Sequence, residues 1–188
     1  MILVDKILHK SLFQIFPWAL TPNHLTTFRF LMIPVVFYLL VAGDYFWGTI
    51  SFIIAAFSDV ADGALARTTD RVSDWGKIYD PLADKLLIST AVALLVAFLL
   101  HPYLAVAIIG MEIIIMAGAA LKIKSGVDHS NIQAHPVAKL KMFLQSVGVI
   151  ILLFYLIFNS PWLLPLAAYT LYASFFFSIV SLVIYRSI

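Results

Sequence analysis

The chain has 188 residues, of which 63% are hydrophobic and 12% are charged, whereas a soluble domain carries about 25% charged residues. The mean hydropathy is +1.01. This value and the low charge exclude an ordinary water-soluble domain and predict a single polytopic membrane domain over residues 1–188. The net charge of +2 is too small to indicate a nucleic-acid partner, and the absence of cysteine excludes disulfides, thiolate nucleophiles and Cys-ligated zinc.

The first stretch, residues 2–16, follows an imperfect helical period. Apolar Val4 and Leu8 lie on one side of the predicted helix, and Lys6 and Lys10 lie on the other. Because the stretch is too short and too polar to cross a bilayer, we expect an amphipathic helix in the membrane interface. A signal peptide is not predicted, since no small-residue cleavage site follows a clear apolar region.

Six apolar stretches follow, each near the length of about 20 residues that a spanning helix needs. Turn-forming residues separate them. They are predicted at roughly residues 25–42, 46–67, 76–99, 102–123, 136–158 and 162–185. The predicted fold is therefore all-α, with six transmembrane helices and an N-terminal interfacial amphipathic helix.

The basic residues support this layout. Six spans put both termini on one side of the membrane, and all 12 Lys and Arg residues fall on that side. The turns near residues 44, 101 and 160, on the other side, have none. By the positive-inside rule, both termini and the polar stretch after the second span are predicted to be cytoplasmic.

Six aspartates lie within residues 59–84 of a chain that is otherwise strongly apolar. Asp59 and Asp62 are three residues apart on one predicted helix, and Asp80 and Asp84 are four residues apart on the next. Such carboxylates repel one another unless cations lie between them. Hard divalent cations with oxygen ligands, Mg²⁺ first, meet this requirement. The alternative is that the acids only pair with basic residues near the interface.

This stretch resembles the signature of the CDP-alcohol phosphotransferase family, Asp-x2-Asp-Gly-x2-Ala-Arg-x8-Gly-x3-Asp-x3-Asp. Its fixed positions are all present at the right spacing: Asp59, Asp62, Gly63, Ala66, Arg67, Gly76, Asp80 and Asp84. The resemblance implies that Asp59, Asp62 and Asp80 bind two divalent ions, Mg²⁺ or Mn²⁺. It implies that Asp84 is the general base and also touches one metal ion.

The same resemblance implies contacts to a nucleotide donor. The implied positions are Asn23, Thr26, Gly63, Ala66, Arg67 and Ser73. Asn23 and Thr26 belong to residues 21–29, which resemble the Pro-Asn-x-Leu-Thr-x2-Arg opening of family members. Simpler alternatives remain open: Asn23 as a helix cap, close helix packing at Gly63 and Ala66, a juxtamembrane charge at Arg67, and a turn residue at Ser73.

Lys139 and Lys141 begin the fifth predicted span, where relatives that make phosphatidylglycerophosphate carry a similar Lys-x-Lys. They are implied to bind the acceptor's phosphate, and plain positive-inside topology is the alternative. Glu112 is predicted to be buried in the fourth span. Relatives often carry Arg-Glu at this point, whereas this chain has Met111 before Glu112. Glu112 is a candidate to orient a lysine or to form a polar bond between helices.

The resemblance as a whole implies a phospholipid-synthesising membrane enzyme. It implies transfer of a phosphatidyl group from CDP-diacylglycerol to a small alcohol phosphate, glycerol 3-phosphate first, with release of CMP. The enzymatic alternative is a cardiolipin synthase of the same fold with phosphatidylglycerol as acceptor. The alternative from another class is a divalent-cation transporter. The resemblance also implies a homodimer, and the positive-inside rule predicts an active site at the cytoplasmic face.

Overall fold

The computed structural model describes residues 22–69, 74–124 and 136–187, and over these residues it is helical, with no β-strand. An interfacial helix over residues 2–16 lies outside the described residues. In chain order the helices are α1 (Pro22–Val41), α2 (Tyr45–Thr69), α3 (Asp74–Ala91), α4 (Ala97–Leu99), α5 (Pro102–Lys124), α6 (Pro136–Phe158) and α7 (Leu163–Ser187), with a π-helical turn, Val92–Val96, between α3 and α4.

Local sequence explains where several helices begin and end. Gly43 adopts φ +80 after α1, a left-handed conformation that favours glycine. Asp44 then accepts a hydrogen bond from the backbone N–H of Trp47 at 3.3 Å, which satisfies one of the first amides of α2. Pro102 occupies the first position of α5, where proline's missing N–H is not needed. Asn159, at φ 50, ends α6.

The helices have the apolar character of a membrane protein. Within the described part of the chain, three helical stretches are long and apolar enough to cross a membrane by length and composition: Leu82–Leu99, Pro136–Phe158 and Leu163–Val183. Shorter apolar stretches are Thr26–Val41, Tyr45–Ser58 and Pro102–Gly118. Large apolar side chains on the helices are exposed, as lipid contact requires. These features indicate an integral membrane protein, while the count of six spans stays a prediction.

The chain divides into two compact units, Met1–Thr90 and Ala91–Ile188. Within the first unit α1 packs against α2. A Cβ added at Gly48 of α2 would lie 2.9 Å from Leu40 Cδ2 of α1, so glycine allows the two helices to approach closely. One domain over the whole chain stays a prediction.

Within the second unit α6 packs along α7, and α5 contacts α7 and the π-helical turn. Gly148 of α6 and Leu171 of α7 are buried at this contact. Ser174 and Ser178 continue the buried side of α7 one and two turns further on. The second unit therefore has a core of closely packed helices that includes polar side chains.

Candidate active site

The two halves of the aspartate signature lie on two helices of the first unit. Positions 59, 62, 63, 66 and 67 belong to the C-terminal half of α2, and positions 76, 80 and 84 belong to α3. This confirms the predicted helical conformation of both halves. Ser73 lies outside the described residues.

The buried side of α2 leads to the first half of the signature. Gly48, Phe52 and Ala55 are buried and follow one another by four and three residues. The same steps of three and four residues continue to positions 59, 62 and 66. The helical register therefore places these signature positions on the continuation of the face that α2 buries.

Asp84 is the signature aspartate whose side chain the structure describes, and it is half-buried. Leu87, Ile88 and Ala91 follow it by three, four and seven residues, and all three are buried. Asp84 therefore shares the buried face of α3, one helical turn after position 80. A carboxylate on the buried face of an apolar membrane helix indicates a function, since packing alone favours an apolar residue there.

A hydrogen bond links the opening motif on α1 to the residue that precedes the aspartate signature on α2. Arg29 of α1 is fully buried, and its Nε donates to Ser58 Oγ of α2 at 3.4 Å. Ser58 Oγ in turn donates to the backbone carbonyl of Ala55 at 2.7 Å. Because Ser58 directly precedes Asp59, the bond fixes Arg29 beside the start of the signature. Thr26, one turn before Arg29, is also fully buried.

The sequence-based prediction omits Arg29 and Ser58 from the site. A guanidinium group is permanently charged and has five donors, so its burial in a membrane helix marks a functional position. The signal was present in the sequence, because Arg29 is the final residue of the opening motif. Ser58 carries no comparable signal, since its importance depends on which helix packs against α2.

The structure separates the two candidate acceptor lysines of α6. Lys139 is exposed, whereas Lys141 retains 3% of its exposure. Residues two positions apart in an α-helix are roughly 200° apart around its axis, so the side chains of Lys139 and Lys141 leave the helix in different directions. Lys141 Nζ lies 2.6 Å from Glu112 Oε1 of α5. The prediction that Glu112 orients a lysine or bonds two helices is confirmed.

The ion pair between Glu112 and Lys141 is deeply buried, with side-chain exposures of 6% and 4%. Two charges in an apolar interior lose much of their hydration, and they tolerate burial only when they face each other. Removing either partner alone leaves an uncompensated buried charge, a change that destabilises proteins by about 3–5 kcal/mol. This pair is therefore a fixed link between α5 and α6.

The donor set of the signature fits a hard divalent cation. Carboxylate oxygens are the ligands that Mg²⁺ and Mn²⁺ prefer, and the chain has no cysteine to favour a softer metal. Among the residues whose side chains are described, no three His, Asp or Glu side chains form a cluster. The side chains of Asp59, Asp62 and Asp80 are not among them, so the metal ligands stay a prediction.

Comparison with known proteins decides the family. The model of the CDP-alcohol phosphatidyltransferase family matches residues 19–180. The chain belongs to the CDP-alcohol phosphatidyltransferase family. This membership makes the protein an enzyme of phospholipid synthesis and disfavours the divalent-cation transporter.

Three similar relatives are named CDP-diacylglycerol–glycerol-3-phosphate 3-phosphatidyltransferase. The Bacillus subtilis (strain 168) protein is 34% identical over 179 residues, which cover 85% of this chain and 90% of the relative. The Blochmanniella floridana protein is 32% identical over 170 residues, which cover 87% of each. The Rickettsia felis protein is 39% identical over 77 residues, which cover 39% of this chain. The first two matches extend over both units of the fold.

Proposed function

We propose that this phosphatidyltransferase moves the phosphatidyl group of CDP-diacylglycerol to glycerol 3-phosphate and releases CMP. The observation that carries the proposal is the similarity over nearly the whole chain to relatives named for this reaction. The complete aspartate signature on α2 and α3 supports it from the chemistry of the site. The presence of Lys139 and Lys141 on α6 fits an acceptor that carries a phosphate.

The proposed metal ligands are the four signature aspartates, Asp59, Asp62, Asp80 and Asp84. When bound, two Mg²⁺ or Mn²⁺ ions would neutralise the diphosphate of the donor and stabilise the charge of an in-line phosphoryl transfer. On the side of α1, the buried guanidinium of Arg29 provides a permanent positive charge next to the signature. Its bond to Ser58 holds that charge in a defined position.

Asp84 is the proposed general base. It would accept the proton of the acceptor hydroxyl while that oxygen attacks the phosphorus that bears the diacylglycerol. The bond between this phosphorus and the oxygen of CMP breaks, and CMP leaves with the electron pair of that bond. The buried face of α3 limits access of water, so the alcohol is favoured over hydrolysis of the donor.

The proposed donor contacts lie before and between the metal ligands along the chain. They are Asn23, Thr26, Gly63, Ala66, Arg67 and Ser73. Complete burial of Thr26 supports a role inside the protein. The missing side chain of Gly63 and the small one of Ala66 would let a nucleotide approach the backbone of α2. The planar guanidinium of Arg67 would suit the donor's diphosphate.

The two lysines of α6 are proposed to act on the acceptor at different depths. Lys139 is exposed and can meet a phosphate that arrives from water. Lys141 is buried and held by Glu112, so its ammonium group is fixed before the acceptor binds. A charge that is already in place loses little entropy when the ligand arrives, which strengthens binding.

We further propose six spans with both termini and the active site at the cytoplasmic face, in a homodimer. The absence of native cysteine allows single-cysteine labelling with an impermeant thiol reagent. Cysteines at Asp44 and Ser160 should react from outside the cell, and one at Ser130 should not. The opposite labelling would show that the orientation is inverted.

The reaction itself is tested with purified protein, CDP-diacylglycerol, Mg²⁺ and one candidate alcohol at a time. Identification of the lipid product by mass spectrometry should give phosphatidylglycerophosphate with glycerol 3-phosphate, together with equimolar CMP. A product formed from phosphatidylglycerol instead would assign the chain to cardiolipin synthesis. Alcohol-independent flux of divalent ions into liposomes, without CMP release, would contradict an enzymatic role.

A further inference from the structure

In the buried pair of Glu112 and Lys141, one carboxylate oxygen has no partner among the described residues. Glu112 Oε1 faces Lys141 Nζ at 2.6 Å. Glu112 Oε2 is buried as well, and it has no hydrogen-bond partner among the residues that the structure describes. A buried acceptor without a donor is unfavourable, so Oε2 requires a donor other than the residues that the structure describes. Either a hydroxyl group of a ligand or a water molecule can meet this requirement.

The charges of the pair limit which ligand suits it. The ammonium group of Lys141 has three donors, of which one faces Oε1, so it can also bind an anionic oxygen. The carboxylate of Glu112 only accepts hydrogen bonds and repels a second anion. A bare phosphate therefore satisfies Lys141 but not Glu112. A molecule with a hydroxyl group next to its phosphate satisfies both atoms at once.

We infer that Glu112 is a specificity-determining residue, whose Oε2 accepts a hydrogen bond from the secondary hydroxyl of glycerol 3-phosphate. Lys141 holds the carboxylate through Oε1 and contacts the phosphate of the same molecule. The primary hydroxyl stays available as the nucleophile. This inference rests on the proposed function, because it takes glycerol 3-phosphate as the acceptor.

Substitution would affect a purely structural pair differently from a pair that recognises the acceptor. If the pair only joined α5 to α6, neutral replacement of both partners would restore stability, as it does for many buried ion pairs, and acceptor recognition would return with it. If Glu112 accepts a hydrogen bond from a hydroxyl group of the acceptor, neutral replacement of both partners restores stability but leaves acceptor recognition impaired. Comparison of recognition with stability therefore separates the two roles.

The first arm of the test uses the wild-type chain in lipid nanodiscs with CDP-diacylglycerol and Mg²⁺. Its acceptors are glycerol 3-phosphate and 3-hydroxypropyl phosphate, which has the same phosphate and primary hydroxyl but lacks the secondary hydroxyl. We expect kcat/KM to be roughly 10- to 100-fold lower for the analogue, the value of one hydrogen bond to a charged group. If neither compound is used, the proposed function fails. Equal use of both overturns the inference alone and assigns Oε2 to water.

The second arm uses two variants and a matched control. Glu112→Gln removes the charge with little change of shape, and Glu112→Gln with Lys141→Met removes both charges. Ser146→Ala is the control on α6, because its hydroxyl donates to the carbonyl of Met142 in the same helix, at 3.0 Å. Thermal unfolding of all variants is measured beside the acceptor kinetics.

We expect both Glu112 variants to lose most of the preference for glycerol 3-phosphate over the analogue, with the donor KM unchanged. The Ser146→Ala control should keep the full preference. If Glu112→Gln does not fold, the double variant, which buries no unpaired charge, gives the result. A folded double variant with the wild-type preference would overturn the inference.

Discussion

Gly148 of α6 faces α7 with no space for a methyl group. A Cβ at this position would lie 2.7 Å from Leu171 Cγ and 2.9 Å from both Leu171 Cδ2 and Thr170 Oγ1. Leu171 is fully buried, and Thr170 Oγ1 is bonded to the carbonyl of Ala167 at 2.8 Å. Because real Cβ atoms essentially never approach so closely, Gly148→Ala requires α6 and α7 to separate or Leu171 to leave its rotamer.

The expected magnitude follows from two opposing terms. Extra volume in a packed core destabilises by about 1–3 kcal/mol, and a clash with the branch atom Cγ of Leu171, which cannot swing away like a chain end, favours the upper half of that range. Alanine regains about 0.8–1.0 kcal/mol over glycine through helix propensity. We therefore expect Gly148→Ala to lower the free energy of unfolding by about 1–2 kcal/mol.

Gly110 of α5 provides the matched control. A Cβ added there meets nothing within 4 Å, so Gly110→Ala keeps the propensity gain of up to about 1 kcal/mol without the clash. Denaturant unfolding in detergent micelles, followed by the loss of helical signal, measures both variants against the wild type. The close-packing interpretation is refuted if Gly148→Ala is as stable as the wild type, or if both variants shift stability equally.

Four further outcomes test the proposed site. CMP release should stop in EDTA and return with Mg²⁺ or Mn²⁺; full turnover in metal-free buffer would exclude a metal requirement. Asp84→Asn should lower kcat by roughly 10²–10⁴-fold while donor binding persists, whereas Asp59→Asn should weaken metal-dependent donor binding itself; near-normal turnover of the first variant would require another base. Lys139→Ala should raise the KM for glycerol 3-phosphate roughly tenfold with little change in the donor KM; an equal rise for both substrates would contradict an acceptor role. Arg29→Lys keeps the charge but loses the planar fork, so its turnover should fall well below that of Ser58→Ala, which removes the 3.4 Å bond from Arg29 and the bond to the carbonyl of Ala55; equal losses would make Arg29 a packing residue.

Helix positions were largely predictable, because turn-forming and helix-breaking residues separate the apolar stretches. The predicted spans 102–123 and 136–158 nearly coincide with α5 and α6, since proline begins each helix. The first predicted span, 25–42, begins three residues after the start of α1. The polar Asn23 and His24 lower the apparent hydropathy there, although the backbone is already helical.

The π-helical turn Val92–Val96 could not be predicted. Its sequence, Val-Ala-Leu-Leu-Val, contains no glycine, proline or polar residue, and periodicity indicates one continuous α-helix over 76–99. Val92, Leu95 and Val96 are all buried. The extra residue in this turn therefore accompanies side-chain packing in the interior, which a local pattern does not encode.

The positive-inside rule can explain one of the two lysines of α6 but not the other. The positive-inside rule requires only that positive charge lie at the cytoplasmic end of a span, and an exposed residue such as Lys139 is enough to meet this requirement. The rule does not require a buried charge such as the ammonium group of Lys141. Desolvation of this group would be strongly unfavourable without the carboxylate of Glu112 at 2.6 Å. Two apolar residues at positions 112 and 141 would stabilise the protein as well as the ion pair does, or better. The positive-inside rule therefore does not account for Lys141, and its burial with a counter-charge favours a role for the pair in binding the acceptor.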